Sequence, residues 1–202
     1  MKLYYYPGAC SLAPHIISKE IDVPLELVKV DLMAHPRMAD GQLFTEVNLK
    51  NSVPALMLDD GHVLTENSVI LQYLAGLAPD DHLLPADGLG RWRVLEAVSF
   101  VATEIHKTRA QLYDPANDDA ARGRVIERLG MKLASLDAQL GDKKFLAGDN
   151  FTIADAYAFV TCDGLPMFGI DFGQWPRLNE YMERVAARDA VKSAQAAEGA
   201  AH

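Results

Sequence analysis

The chain has two cysteines and six histidines, the side chains best suited to nucleophilic attack or proton exchange near neutral pH. Cys10 stands in Tyr5-Tyr6-Pro7-Gly8-Ala9-Cys10-Ser11, between a predicted strand end and a predicted helix start. A thiol there faces the unpaired N–H groups of a first helical turn, whose dipoles favour thiolate and hold a thiolate or disulfide ligand. The competing reading is a buried structural cysteine, since free cysteines commonly pack in cores. The residue three positions on is Ala13, so no Cys-x-x-Cys pair exists. Disulfide chemistry at Cys10 therefore requires an external thiol. Cys162 reads as a core residue of its helix.

Two further segments offer contacts to a small polar ligand. In Thr65-Glu66-Asn67-Ser68 a carboxylate precedes a predicted helix. Glu66 suits an ammonium and the helix N–H groups suit a carboxylate, which together describe a zwitterionic amino acid. An ordinary helix cap of the same composition is the simpler account. Val53-Pro54 lies before a predicted strand, and a cis bond there leaves the Val53 N–H and C=O free for an extended peptide. On the helix predicted over 91–112, Ser99, Thr103 and His106 form a stripe beside the apolar one, while Glu104 points elsewhere. His106, next to Lys107, is placed either to donate to a thiol or carboxylate and exchange a proton near neutral pH, or simply to be solvated. His15, His35, His62, His82 and His202 show no metal-ligand spacing, so no metal is expected.

The elements that must position these residues change character near residue 80. KLYYY (2–6) and LELVKVDL (25–32) read as strands around a helix over 11–20, with Pro14 early enough to sit in its first turn. VPALMLDDGHVL (53–64) reads as a hairpin about Asp59-Asp60-Gly61-His62, and NSVILQYLAGL (67–77) as a helix. Residues 78–90 hold two prolines and two glycines and form the predicted linker. Beyond it, Leu95, Val98, Ala102, Ile105 and Leu112 mark one helix, and Val125, Leu129, Leu133, Leu136 and Leu140 another. Thr152 and Asp155 form a capping box for the helix that follows, and Pro176 starts the next. The small-residue tail AQAAEGAAH is expected to fray. The reading is an α/β domain over 1–80 followed by an all-α domain over 88–202.

Composition narrows the partners. The 202 residues carry 19 basic and 28 acidic side chains, a net charge of -9. Such a surface repels nucleic acid and anionic membranes. No apolar run is long enough to span a bilayer, and the first residues lack a signal-peptide core. Two cysteines in opposite halves suit free thiols in a reducing, cytoplasmic compartment.

The stretches MKLYYYPGACSLAPHI, EVNLKNSVPALMLDDGHVLTEN, ATEIHK and GDNFTIADAYAF together resemble the bacterial beta-class glutathione S-transferases over essentially the whole chain. That resemblance implies a thioredoxin-like N-terminal domain with a mixed four-stranded sheet, a helical C-terminal domain and a homodimer. It implies glutathione as cosubstrate and a small hydrophobic electrophile as partner, joined as a thioether. By the same resemblance Cys10 contacts the glutathione sulfur, and Val53, before a cis Pro54, pairs with its cysteinyl backbone. Glu66 and Asn67 hold the γ-glutamyl end. His106 lies near the thiol, with Thr103, Glu104 and Ile105 in the same contact segment. Ser99 stands where an asparagine is usual, and His35 where a lysine meets the glycyl carboxylate. Three departures bear on the site: Asn48-Leu49-Lys50-Asn51-Ser52 replaces the usual proline- and Gly-Gln-containing run, Asn67 replaces a glycine, and Gly164 replaces a tryptophan of the second-substrate wall. A glutathione-dependent thiol–disulfide reductase using a Cys10 mixed disulfide, and a noncatalytic carrier of an apolar ligand, are the alternatives.

Overall fold

A computed structural model describes residues 1–32 and 36–199. It forms two compact units, Met1–Asp81 joined by the chain from Arg188 onward, and His82–Ala187.

The first unit is built on a mixed sheet. Strand β1 (Lys2–Tyr5) leads through helix α1 (Leu12–Glu20) to β2 (Glu26–Asp31), which lies parallel to β1. Then come β3 (Arg37–Met38), β4 (Ala55–Met57), β5 (Val63–Thr65) and helix α2 (Asn67–Ala75). The spatial order is β3-β2-β1-β4-β5, and every pair except β1–β2 is antiparallel. The expected sheet of four strands thus gains a fifth, because the loop after β2 folds back for two residues on its edge. Alternation sets the faces: Tyr4 is in register with both Val28 and Ala55. These side chains join Val30, Met38 and Phe44 in one apolar cluster, with Val53 packed against it. The predicted hairpin turn is present. Leu58 N–H donates to His62 O at 2.8 Å, and Gly61 takes the positive φ (86°) that favours glycine.

Of the tail expected to fray, residues 194–199 depart from expectation, and residues 200–202 lie outside the described residues. Helix α8 (Asp189–Glu198) is ordered and packs on α1, so the chain from Arg188 belongs to the α/β unit and the helical unit ends at Ala187. Val191 and Ala194 are fully buried. Arg188 makes two bonds to the Glu20 carboxylate (2.6 and 2.8 Å), and the buried His15 Nδ1 lies 2.9 Å from Glu198 Oε1. Small residues gave the tail a soft appearance, but they also permit close approach to α1.

The helical unit contains α3 (Gly88–Phe100), α4 (Lys107–Ala110), α5 (Asp119–Leu140), α6 (Ile153–Asp163) and α7 (Pro176–Ala186). Between α3 and α4 the chain stays helical but widens to a π-turn over Val101–His106. The buried seam there is Val94, Val98, Val101, Ile105 and Leu112, whereas Leu95 and Ala102 are only half-buried. On α5 the predicted seam from Val125 to Leu140 is buried throughout. Both halves of the Thr152–Asp155 capping box are in place at the start of α6. Among the described residues no helix is long and apolar enough to cross a membrane.

Candidate functional site

In the α/β unit, Cys10 contacts both Val53, just before β4, and Asn67, the first residue of α2. Cys10 precedes the N-cap of α1, Ser11, whose hydroxyl closes the β1–α1 turn on the Tyr6 main chain. The first-turn amides of Leu12 and Ala13 donate to the carbonyls of Ala9 and Cys10. The half-buried Cys10 thiol donates to the Val53 carbonyl at 3.4 Å. Val53-Pro54 is cis and lies just before β4. The Asn67 side-chain amide donates to the Cys10 carbonyl at 3.2 Å. Its own carbonyl oxygen is buried without a partner. Asn67 therefore holds the peptide of Cys10 from within.

Glu66 caps α2 with φ 68°, a conformation uncommon outside glycine and asparagine. Its main-chain oxygen accepts from Val69 and Ile70, both at 3.0 Å. The carboxylate is 61% exposed and bonded to Lys50 Nζ at 2.6 Å. Lys50 also donates to Thr65 Oγ1 at 2.9 Å. Lys50 lies in the Asn48–Ser52 run, one of the departures from the pattern expected by resemblance. Asn51, also at positive φ (53°), turns that segment back toward β4. His35 lies outside the described residues.

In the helical unit, Ser99 and Thr103 are exposed, and the Thr103 hydroxyl donates to Ser99 O at 3.0 Å. Glu104 pairs with Lys132 of α5. Ile105 is fully buried in the core, which leaves its side chain nothing to offer a ligand. His106 Nδ1 lies 2.8 Å from the hydroxyl of Tyr157 on α6, with the rings edge to face at 5.6 Å. Burial, then the charges of Arg109 and Lys107, bring the His106 pKa down to about 4. The imidazole is thus neutral at neutral pH, which corrects the expected proton exchange in that range. Tyr157 lies 51 positions away, and no local pattern announces it. Cys162 is fully buried, and the loss of solvation pushes its thiol up to about 12, so it is inert.

The first 76 residues match the family model "Glutathione S-transferase, N-terminal domain", and residues 96–189 match "Glutathione S-transferase, C-terminal domain". The chain belongs to the glutathione S-transferase family. It is 40% identical to Glutathione S-transferase GstA of Escherichia coli O157:H7, covering 98% of this chain and 99% of that one. A beta-class glutathione S-transferase from Sphingomonas chungbukensis superposes with a TM-score of 0.94 at 42% identity and full coverage of both chains. A sphingomonad glutathione S-transferase complexed with glutathione gives 0.93 at 42% identity, again over both full chains. Within this glutathione S-transferase, Cys10, Val53 and Asn67 meet in the α/β unit beside Glu66. His106 is set by Tyr157 in the helical unit. Among the described residues there is no cluster of three metal-ligating side chains.

Proposed function

We propose that the protein conjugates reduced glutathione to small hydrophobic electrophiles. The glutathione sulfur attacks the electrophilic carbon as thiolate, a carbon–sulfur bond forms, the leaving group departs with its electron pair, and the thiol proton passes to solvent. The observation that carries this reading is the Cys10 thiol held on the Val53 carbonyl at the cis Pro54. In a family that binds glutathione, this arrangement puts a thiol donor and an extended main-chain segment together. The tripeptide pairs with the Val53 backbone through its cysteinyl unit, and its sulfur lies beside Cys10. Its γ-glutamyl ammonium takes the Glu66 carboxylate, where Lys50 now sits. Neutral His106, fixed by Tyr157, contributes a hydrogen bond rather than a charge. Asn67 keeps the Cys10 peptide in place. The protein works as a cytoplasmic homodimer.

A disulfide reductase is the second reading, favoured by one fact: Cys10 is half-buried and its thiol reaches the surface loop, while Cys162 is sealed in the core. In that reaction the Cys10 thiolate attacks the glutathione sulfur of a mixed disulfide between glutathione and a substrate thiol, forming Cys10–S–S–glutathione and releasing the substrate as thiolate. A reduced glutathione then displaces Cys10 and leaves as oxidised glutathione. The test is conjugation of 1-chloro-2,4-dinitrobenzene, with intact-mass analysis after exposure to oxidised glutathione, on wild type and Cys10→Ala. The expected result is glutathione-saturable conjugation that persists in Cys10→Ala. Absence of conjugation from wild type, with a glutathione adduct that depends on Cys10, overturns the transferase reading in favour of the reductase.

A further inference from the structure

Arg109, on α4, is a buried guanidinium whose hydrogen-bonding capacity is met only in part. It is 9% exposed. Nη1 donates to the main-chain oxygens of Val160 (3.2 Å) and Thr161 (3.1 Å), and Nη2 to the Tyr113 hydroxyl (2.9 Å). A guanidinium has five N–H groups, so these bonds leave two over. One of them is on Nε, which is buried without a partner. The acceptors in these three bonds are all neutral. A buried charge is costly until acceptors or an opposite charge complete its environment.

Gly164 accounts for how the guanidinium fits. A Cβ at that position would stand 2.5 Å from Nη2 and 3.3 Å from Cζ of Arg109. A tryptophan at 164, expected by resemblance, is incompatible with this pose. The missing indole is therefore replaced by a cation and not simply by space. Next to it lies an aromatic and thioether rim. Tyr113 is 54% and Met167 72% exposed. The rings of Tyr113 and Phe168 meet edge to face at 5.1 Å, and Arg109 Cζ is 5.6 Å from the centre of the Tyr113 ring. Arg109 and Lys107 both help to keep His106 unprotonated, while at Cys162 the charge of Arg109 is opposed by that of Asp163.

We propose that Arg109, seated in the gap left by Gly164, is a specificity-determining residue for the second substrate, and that this substrate is an aromatic electrophile carrying a carboxylate. The proposal rests on the transferase reading, in which the helical unit receives the electrophile. The carboxylate takes the remaining Nη2 N–H as a charge-assisted hydrogen bond and compensates the guanidinium charge, and the ring lies on Tyr113, Met167 and Phe168. With a chloroarene, sulfur displaces chloride at the ring carbon and the carboxylate keeps its charge throughout.

Isothermal titration of 3-nitrobenzoate and the uncharged 3-nitrobenzamide into wild type, Arg109→Met and Arg109→Lys tests the binding. Turnover of 4-chloro-3-nitrobenzoate and 4-chloro-3-nitrobenzamide, each relative to its uncatalysed rate, tests the consequence. Wild type is expected to prefer the carboxylate by roughly ten- to a hundredfold, with the preference lost in Arg109→Met and partly kept in Arg109→Lys. Equal binding of acid and amide by wild type overturns the proposal, and that comparison requires no variant to fold. If neither chloroarene is turned over, the transferase reading fails, while the titration still decides the role of Arg109.

Discussion

His106 shows how a residue's surroundings decide its role more than its type does. A histidine beside Lys107 reads in sequence as a proton carrier, yet burial against Tyr157 and the neighbouring Arg109 leave it neutral down to about pH 4. The sign for stability follows directly. Between the ordinary histidine pKa of about 6.5 and 4, the unfolded chain binds a proton that the folded chain refuses, so folding weakens as pH falls through that window and levels off below it. The contribution is up to roughly 3 kcal/mol. Denaturant titrations at pH 7 and pH 4.5 are expected to show wild type losing more stability than His106→Gln, and equal losses would contradict the neutral assignment. Cys10, Val53 and Glu66 stand out in sequence because each adjoins a strand end, a proline or a helix start, whereas the cis bond at Pro54 is implied only by the resemblance. Lys50, Tyr157 and Arg109 do not stand out, because their partners lie on other elements and only the folded chain brings them together.

Among the elements, α6 is the best specified by sequence and α3–α4 the least. The Thr152–Asp155 box is a local signal, and the structure makes more of it than a cap. The buried Asp155 carboxylate accepts from the Thr152 N–H and hydroxyl (both 2.8 Å), the Leu146 N–H (2.9 Å) and the Tyr181 hydroxyl (3.1 Å). It thereby ties together the loop before α6, its first turn and α7. Burial raises the carboxyl pKa while these four donors oppose the rise. Asp155→Ala strands buried donors on three segments and is expected to cost about 3–5 kcal/mol, read as a shift of the denaturation midpoint. A loss below 1 kcal/mol would mean that other acceptors replace the carboxylate. The π-turn over Val101–His106 escaped the sequence reading because one extra residue in a helical turn leaves the 3.6-residue pattern nearly unchanged over so short a span.

For the molecule as a whole, the division into two units was readable from the shift in composition near residue 80, but the return of the chain was not. Helix α8 is rich in alanine, and alanine announces neither surface nor core. What identifies its place is two polar pairs, Arg188 with Glu20 and Glu198 with His15, each joining residues more than 160 positions apart. Truncation after Ala187 is expected to expose α1, strand His15 and Glu20, and lower the melting temperature of the α/β unit by several degrees, measured by calorimetry beside the full chain. An unchanged melting curve would show α8 to be a passenger. The same arrangement has a temporal side. A ribosome delivers β1 through α2 first, then the whole helical unit, and only then the helix that completes the first unit. At about 5–20 residues per second, the face of α1 that will receive α8 stays uncovered for several seconds of synthesis. During that interval the nascent chain offers an apolar surface to chaperones, so any slowing of translation through the helical segment prolongs its exposure.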